Sequence, residues 1–269
     1  MLIGYVTPIV LVGVAAAIAW KFKALDLGGL ATALLLAFIL MFTSLPVLYI
    51  MMAFFFSSSI LTFLGYKSKE SKGAAERKGG RRTVQVLCSG GVPAALTLVS
   101  VVIPSEYKPA VILAAISSIA YANADTWAAE LGTLSKKDPI LLINPRIRVP
   151  PGVSGGITLL GEFGALTGSA LIALLYLVVT NGYRSIPIGP AGLIFLLGWL
   201  GEILDALLGA ILQVKYVCTK CQVLWDHETH ICGARTEYLR GYRFIKNEIV
   251  NLLTELLISS IVFFISLYL

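Results

Sequence analysis

The sequence predicts an all-α fold, a polytopic bundle of about eight transmembrane helices in one integral membrane domain, residues 1–269. Three observations support this prediction: the composition, the run of apolar stretches and the placement of the basic residues. Hydrophobic residues make up 57 % of the 269 residues and charged residues 13 %, against about 45–50 % and about 25 % in soluble domains. This composition excludes a soluble monomer, and it excludes disorder, which requires low hydrophobicity.

Eight apolar stretches account for most of the chain. They cover residues 1–20, 26–43, 45–65, 84–103, 108–131, 157–180, 187–212 and 247–269. Most reach the ~20 residues that a helix needs to cross the hydrocarbon core of a bilayer. The second stretch is short and begins with two glycines, which is less typical of a span. Apolar and polar residues rarely alternate inside the stretches, so helices are expected rather than a transmembrane barrel.

The basic residues define one orientation for these helices. Loops 21–25, 66–83, 132–156 and 213–246 hold 19 of the 21 Lys and Arg residues, and the opposite side holds only Lys108 and Arg184. The positive-inside rule places the basic loops in the cytosol and both termini outside. The first stretch has no basic residue before it, which argues against a cleaved signal peptide. The net charge of +6 thus reflects orientation in the cell membrane, and no nucleic-acid partner is expected.

Acidic and amide side chains gather at the cytosolic ends of the predicted helices. They are Gln85, Asn123, Asp125, Glu130, Glu162, Glu202, Asp205, Gln213, Asn247, Glu248, Asn251 and Glu255. The outer halves of the same helices are almost purely hydrocarbon. Ionisable groups inside a membrane are costly and usually face the bundle interior or a water-filled cavity. The asymmetry predicts a site that faces the cytosol and acts on a substrate whose tail lies in the bilayer.

Helical spacing groups these polar residues into candidate catalytic faces. Two sets share a face, Glu202 with Asp205 and Gly209, and Asn247 with Asn251 and Glu255. Carboxylates from different helices with amide neighbours form an all-oxygen site, which favours Mg²⁺. The candidate catalytic residues are Asp125, Asp205, Asn123 and Glu202, with Mg²⁺ on Asp125 and Asp205. The alternative role for Glu130, Glu248 and Glu255 is to pair with basic loop residues or to cap helices.

Two cytosolic loops contain residues suited to phosphate. A Gly-rich turn, Ser154 to Gly156, precedes the sixth stretch, and a helix N-terminus attracts phosphate through free N–H groups and its dipole. The run R-K-G-G-R-R, Arg77 to Arg82, is a topology anchor, a lipid-headgroup contact or a triphosphate clamp. Small residues from Gly161 to Gly168 are assigned to helix packing. The candidate phosphate-binding residues are Arg81, Arg82, Lys136, Lys137, Arg146, Ser154, Gly155, Gly156, Asn247 and Asn251.

The loop 213–246 contains three of the four cysteines and both histidines. Disulfides are disfavoured in the cytosol, so metal binding is the preferred interpretation. Cys218, Cys221, His230 and Cys232 would form a tetrahedral zinc site, with His227 as the competing fourth ligand. The zinc would be structural, because the loop is too short to build its own core. The alternative is a redox pair or uncoordinated thiols.

Four sequence runs link the chain to a known family. They are A-N-A-D-T-W-A-A-E-L-G from Ala122, G-V-S-G-G-I-T-L-L-G from Gly152, E-I-L-D-A-L-L-G-A-I-L-Q from Glu202 and K-N-E-I-V-N-L-L from Lys246. Together they resemble the integral-membrane family of plant phytyl-phosphate kinase and animal transmembrane protein 19. The resemblance spans about residues 75–255 in matching order.

This resemblance implies a membrane kinase. The enzyme would transfer a phosphoryl group from a nucleoside triphosphate, CTP in the plant enzyme, to a prenyl monophosphate (phytyl, geranylgeranyl or similar), giving the diphosphate. The implied partners are the nucleotide, the prenyl-phosphate lipid and the membrane. More distantly, the chain is similar to phytol and dolichol kinases and to CDP-diacylglycerol synthases.

Three other functions are alternatives. A cytidylyltransferase acting on a lipid phosphate would use the same donor and metal but attack at the α-phosphorus, and sequence does not separate it from a kinase. A transporter or scramblase of phosphorylated lipids predicts polar groups through the outer leaflet and inverted repeats, and the sequence shows neither. A scaffold that uses the zinc loop for protein contacts leaves the intramembrane acids without a role.

Overall fold

A computed structural model describes residues 3–74, 80–180 and 188–268, with nine α-helices and six short strands in these ranges. The helices are α1 (Ile3–Lys21), α2 (Leu27–Thr43), α3 (Leu45–Phe63), α4 (Tyr66–Ser71), α5 (Thr83–Val102), α6 (Lys108–Gly132), α7 (Leu159–Thr180), α8 (Ile188–Ile211) and α9 (Asn247–Ser266). The strands are β1 (Ile140–Leu141), β2 (Asn144–Arg148), β3 (Gly156–Ile157), β4 (Lys215–Cys218), β5 (Leu224–Trp225) and β6 (Thr236–Arg240). Arg77, Lys78 and Arg184, three of the 21 basic residues, lie outside the described residues.

Each of the eight predicted apolar stretches coincides with one long helix. Within the described ranges, five helices are long and apolar enough to cross a membrane: α3, α5, α7, α8 and α9. Two more, α1 and α2, contribute shorter apolar stretches. The eighth long helix, α6, has 25 residues, but the polar side chains in its second half lower its hydropathy. The protein is therefore a polytopic membrane helix protein, and the eight-span topology stays a prediction.

Helix α6 lies at the centre of the bundle, where it packs against α3, α5, α7, α8 and α9. Small residues make this close packing possible, since Ala114 and Ala120 are completely buried. On α7, a Cβ added at Gly164 would lie 2.6 Å from the Trp127 carbonyl oxygen, and one at Gly168 would lie 3.1 Å from that of Asn123. The α7 glycines thus serve helix packing, as their spacing predicts.

Two small antiparallel sheets, which the sequence does not predict, organise the two longest loops. The loop between α6 and α7 contains the strands in the order β2-β1-β3, and the loop between α8 and α9 contains β5-β4-β6. In the second sheet, β4 is the central strand, and it ends at Cys218. The sheets give both loops a fixed shape despite their small hydrophobic content.

The predicted orientation can be tested by accessibility at two exposed positions. Glu106 lies between α5 and α6, on the predicted outer side, and Lys137 lies in the basic loop after α6. We expect Glu106→Cys to react with a membrane-impermeant maleimide on intact cells and Lys137→Cys to react only after permeabilisation. The unmodified protein is the negative control on intact cells, because its loop cysteines are predicted to be cytosolic and should not react. The opposite labelling pattern would reverse the orientation.

Candidate active site and metal centre

Two aspartates from different helices approach each other near the predicted cytosolic ends of α6 and α8. Asp205 is buried, and its Oδ1 accepts hydrogen bonds from Tyr121 Oη at 2.7 Å and Thr254 Oγ1 at 3.3 Å. Asp125 lies close enough to Asp205 for their charges to interact. The structure thus brings together the two residues predicted to hold Mg²⁺.

Asn251 of α9 lies between these two aspartates. In one orientation of its amide, Nδ2 is 3.5 Å from Asp125 Oδ2. The rotated amide makes better hydrogen bonds, with Nδ2 3.3 Å from Asp205 Oδ1 and 2.9 Å from the Asn247 carbonyl oxygen. The rotated orientation turns the Asn251 carbonyl oxygen toward Asp125. Three oxygen-bearing side chains from three helices therefore converge.

Two further carboxylates extend this group, which we call the acid cluster: Asp125, Glu202, Asp205, Asn251 and Glu255. Glu255 is completely buried, and neither of its carboxylate oxygens has a hydrogen-bond partner. Glu202 is also buried and has one unpartnered oxygen. Both interact electrostatically with Asp125. Like charges in a medium of low dielectric constant repel strongly, so such a cluster favours a bound cation or protons.

Glu255 is the principal residue that the sequence-based choice of catalytic residues omits. The sequence contains one indication of its position: Glu255 follows Asn251 by four residues, and residues at this spacing share a helix face. The alternative role considered for it, an ion pair with a basic loop residue, does not occur among the described residues. That role fits Glu130, which forms an ion pair with buried Lys69 and accepts a hydrogen bond from Thr62 Oγ1 at 2.6 Å.

Arg81 brings a positive charge to the acid cluster. Its side chain interacts electrostatically with Asp125. Its backbone is fixed against the α1–α2 connection, since its N–H donates to Ala24 and its carbonyl accepts from Asp26. Arg82 is more exposed, and its guanidinium lies 3.9 Å from Glu248. Of the predicted phosphate-binding arginines, Arg81 is therefore next to the acids and Arg82 lies at the rim.

Asn123 does not join the acid cluster. Its Oδ1 accepts hydrogen bonds from Ser57 and Ser58 of α3, and its Nδ2 donates to the Gly168 carbonyl oxygen of α7 at 2.7 Å. Residues two positions apart on an α-helix are separated by about 200° around its axis, so Asn123 and Asp125 point to opposite sides of α6. Asn123 holds α3, α6 and α7 together.

The Gly-rich turn has a structural role in place of the expected free phosphate cradle. The Ser154 N–H donates to Asp226 Oδ2 at 2.8 Å, and the Gly156 N–H donates to the Val153 carbonyl oxygen at 3.1 Å. Gly155 has φ +81° and packs closely on Ala210 of α8. The turn continues into β3, and α7 begins only at Leu159. The N–H groups of the turn are therefore not those of the first turn of α7. The other predicted phosphate residues, Lys136, Lys137, Arg146 and Asn247, are exposed and distributed over the loops and the start of α9.

A buried ion pair joins the Gly-rich turn to the Cys/His loop. Lys215 is completely buried, and its Nζ donates to Asp226 Oδ1 at 2.7 Å and to the Ser154 carbonyl oxygen at 2.8 Å. Gln213 Nε2 also donates to Asp226, at 2.9 Å. Burial lowers the pKa of Lys215, and the neighbouring Asp226 carboxylate opposes that shift. Both members of this pair also form a hydrogen bond with the Ser154 backbone, and these two bonds connect the two loops.

Removing one partner of this pair should destabilise the protein. We expect Lys215→Met to lower the free energy of unfolding by about 3–5 kcal/mol, because Asp226 would remain buried without its counter-charge. Thermal or denaturant unfolding in detergent measures the change. Exposed Lys220 in the same loop is the control, and Lys220→Met should stay within about 0.5 kcal/mol. Equal effects of the two substitutions would refute the proposed importance of the pair.

Four side chains in the Cys/His loop form a group that could hold a metal ion. The ligand atoms of Cys218, Cys221, His230 and Cys232 all lie within 4.8 Å of one another. The Sγ atoms of Cys218 and Cys232 are 3.7 Å apart, close to the about 3.8 Å expected for two thiolates on one tetrahedral zinc ion. All three cysteines are free of disulfides. The predicted ligand set is therefore confirmed as a group consistent with zinc.

The contacts around this group show which of the two histidines belongs to it and how one of its thiols is affected. Within the described ranges, the metal-binding group contains His230 and not His227. The edge-to-face contact between the rings of Trp225 and His230, with centroids 4.9 Å apart, orients the imidazole. Hydrogen bonding to Cys232 raises the pKa of the Cys221 thiol to about 11. Coordination to a metal deprotonates such a thiol.

Comparisons with known proteins agree with this architecture. The Arabidopsis thaliana protein named Protein PGR is 28 % identical over 268 residues, covering 93 % of this chain and 91 % of that protein. An uncharacterised membrane protein of Methanocaldococcus jannaschii is 29 % identical and covers 72 % of this chain and 77 % of its own length. One from Synechocystis is 28 % identical, with 62 % and 63 % covered. No solved structure is significantly similar.

The family assignment rests on nearly the whole chain. Residues 10–259 match the family described as integral membrane protein DUF92. This match and the similarity to the Arabidopsis protein are consistent with the family of plant phytyl-phosphate kinase that the four sequence runs resemble. The chain belongs to the DUF92 family of integral membrane proteins.

Proposed function

We propose that this chain is a Mg²⁺-dependent kinase that transfers a phosphoryl group from a nucleoside triphosphate to a prenyl monophosphate at the cytosolic membrane face. The observation that carries the proposal is the acid cluster, in which oxygen-bearing side chains of α6, α8 and α9 converge beside Arg81. The family resemblance supports CTP as donor and a phytyl, geranylgeranyl or similar chain on the acceptor.

The donor set of the acid cluster fits a magnesium ion. Carboxylate and amide oxygens are the ligands that Mg²⁺ takes in proteins, and Glu255 keeps both of its oxygens unpartnered although it is fully buried. Asp125 and Asp205 would hold the ion, with Asn251 and Glu255 beside them. Bound Mg²⁺ would neutralise the charge of the donor phosphates and align them.

The remaining side chains have roles in positioning. Tyr121 and Thr254 fix the Asp205 carboxylate through two hydrogen bonds. Arg81, which is held by its backbone to the α1–α2 connection, would bind phosphate oxygens of the donor. An oxygen of the acceptor phosphate attacks the γ-phosphorus, and the bond from that phosphorus to the β–γ bridging oxygen breaks. An acceptor that is already a phosphate needs little help from a general base.

The Cys/His group would bind one structural zinc ion. Its ligand spacing fits tetrahedral coordination, and it lies in the same loop as Asp226, which holds the Gly-rich turn through Ser154. Zinc would therefore fix the position of Asp226 and, through it, the turn that packs on α8 near the acid cluster. The zinc contributes to the fold, and its role is separate from phosphoryl transfer.

The nucleotide product distinguishes this kinase from a cytidylyltransferase. Purified protein in lipid nanodiscs is incubated with CTP, Mg²⁺ and geranylgeranyl phosphate, and the released nucleotide is identified by chromatography. A kinase releases CDP in equal amount to the prenyl diphosphate formed. Release of pyrophosphate would identify the cytidylyltransferase instead, and no turnover with any nucleoside triphosphate would refute both enzymes.

A further inference from the structure

An apolar groove of about 520 Å³ runs between α5 and α9. Its walls include Val84, Leu87, Gly91, Ala95, Leu252 and Leu256. The volume lies within the about 300–1,000 Å³ typical of small-molecule sites. The α5 side of the groove extends from Val84 to Val99, a distance of about 22 Å along the helix. A groove of this length, bounded by two helices, suits one extended hydrocarbon chain.

A second cavity of about 520 Å³, lined by both charged and apolar side chains, adjoins the groove and shares Val84 with it. Its charged lining residues are the basic Arg82 and Lys246 and the acidic Glu248 and Asp26, the N-cap of α2. Helices α5 and α9 both begin here, at Thr83 and Asn247. Their positive dipole ends add to the charges of Arg82 and Lys246 and favour an anion. The carboxylates of Asp26 and Glu248 balance these two cations in formal charge. The N–H donors of Arg82 and Lys246 and the two helix N-termini are therefore the features of the mouth that favour a phosphate group.

The groove and its mouth adjoin the acid cluster. Cys88 lines the groove and is near enough to Glu255 and Glu248 for their charges to interact with its thiol. Arg82 follows Arg81, whose charge interacts with Asp125. A lipid phosphate at the mouth would therefore lie beside the side chains that we propose for the donor phosphates.

We propose that the groove between α5 and α9 binds the chain of an isoprenoid monophosphate, with the phosphate held at the mouth by Arg82 and Lys246. The groove has the volume and length of a site for one hydrocarbon chain, and the proposed function supplies the isoprenoid nature of that chain. The identification of this lipid as the phosphoryl acceptor rests on the proposed function. Its location in the groove is a separate claim.

Gly91 offers a direct test of the groove. Gly91 lines the groove, and a Cβ added there would meet no atom within 4 Å, so a larger side chain can begin at this position without a clash at its Cβ. We expect Gly91→Phe to lower kcat/KM for geranylgeranyl phosphate by at least about tenfold and to leave dimethylallyl phosphate, whose chain is short, within about twofold. Gly192 on α8 is the matched control, because it has the same open surroundings. Equal effects of Gly91→Phe and Gly192→Phe would overturn the proposal.

Photo-crosslinking tests the location independently of turnover. The probe is geranylgeranyl phosphate with a diazirine at the end of its chain, added to the protein in phosphatidylcholine nanodiscs. We expect labelled peptides from α5 and α9, competition by geranylgeranyl phosphate but not by phosphatidic acid, and loss of labelling in Gly91→Phe. Labelling elsewhere, or equal competition by phosphatidic acid, would overturn the groove assignment.

The two experiments separate failure of the groove from failure of the kinase. Specific labelling of α5 and α9 without nucleotide turnover would support the lipid site and refute the proposed reaction. Turnover that Gly91→Phe leaves unchanged with the long-chain acceptor would refute the groove and leave the kinase assignment standing.

Discussion

Asp125→Asn should reduce the rate of phosphoryl transfer by on the order of 10³-fold, because placement of charge dominates this kind of catalysis. The substitution keeps the shape and polarity of the side chain and removes only its negative charge. Asp205→Asn should have an effect of similar size, since the two carboxylates face each other across Asn251. The measurement is the initial rate of CDP release with saturating Mg²⁺.

A matched control separates loss of catalysis from loss of fold. Asp138 is exposed in the loop after α6, and Asp138→Asn should leave the rate unchanged. Size-exclusion profiles and melting temperatures of all three variants should match those of the unmodified protein, because Asn has the shape of Asp and its Oδ1 still accepts hydrogen bonds such as those from Tyr121 and Thr254. Near-normal activity of both Asp125→Asn and Asp205→Asn would refute the acid cluster as the catalytic site.

Cys221→Ser should remove zinc from the protein and destabilise the loop between α8 and α9. We expect about one equivalent of zinc in the purified protein and close to none in this variant, because a tetrahedral site of four ligands depends on each of them. Atomic emission of protein purified without added metal gives the metal content. The same loss is expected for His230→Ala.

His227 provides the matched control for the metal site. It is exposed and lies outside the four-ligand group, so His227→Ala should retain zinc. Limited proteolysis adds a structural readout, since loss of zinc should expose the loop that carries Asp226. A protein that contains no zinc, or that loses zinc equally in His227→Ala and His230→Ala, would contradict the assignment.

The long helices and the metal-binding group could be predicted from sequence because their determinants are local. Each predicted apolar stretch coincides with a helix, since an uninterrupted apolar run of that length has few alternatives in a membrane. The spacing of Cys218, Cys221, His230 and Cys232 within one loop indicated the group that the structure brings together. Both predictions used only residues close in the chain.

The acid cluster was only partly predictable, because its composition depends on how distant helices rotate against one another. The depth of Asp125 and Asp205 in their helices predicts a common site, and the structure places the two side chains close enough for their charges to interact. Asn123 shares a helix with Asp125 but points to α3 and α7. The sequence does not assign Glu255 to the catalytic set, because only tertiary packing shows that it lacks a basic partner.

The Gly-rich turn shows why a local motif can mislead. Ser154 to Gly156 has the composition of a phosphate-binding turn, yet the Ser154 N–H donates to the Asp226 carboxylate, 72 residues further along the chain. One of the N–H groups predicted to bind phosphate is therefore paired with a carboxylate of the protein itself. The short strands β1 to β6 are not predicted from the sequence. Strands of only two to five residues depend on the strands they pair with more than on their own sequence.

Tracing the γ-phosphate of CTP tests the central claim most directly. Two parallel reactions contain the protein, Mg²⁺, geranylgeranyl phosphate and CTP labelled at either the γ- or the α-phosphate, and the label in the extracted lipid is counted. We predict that the γ-label enters the lipid in equal amount to the CDP released, that the α-label does not, and that Asp205→Asn abolishes the transfer. Entry of the α-label, or transfer of the γ-label that is undiminished in Asp205→Asn, would contradict this account.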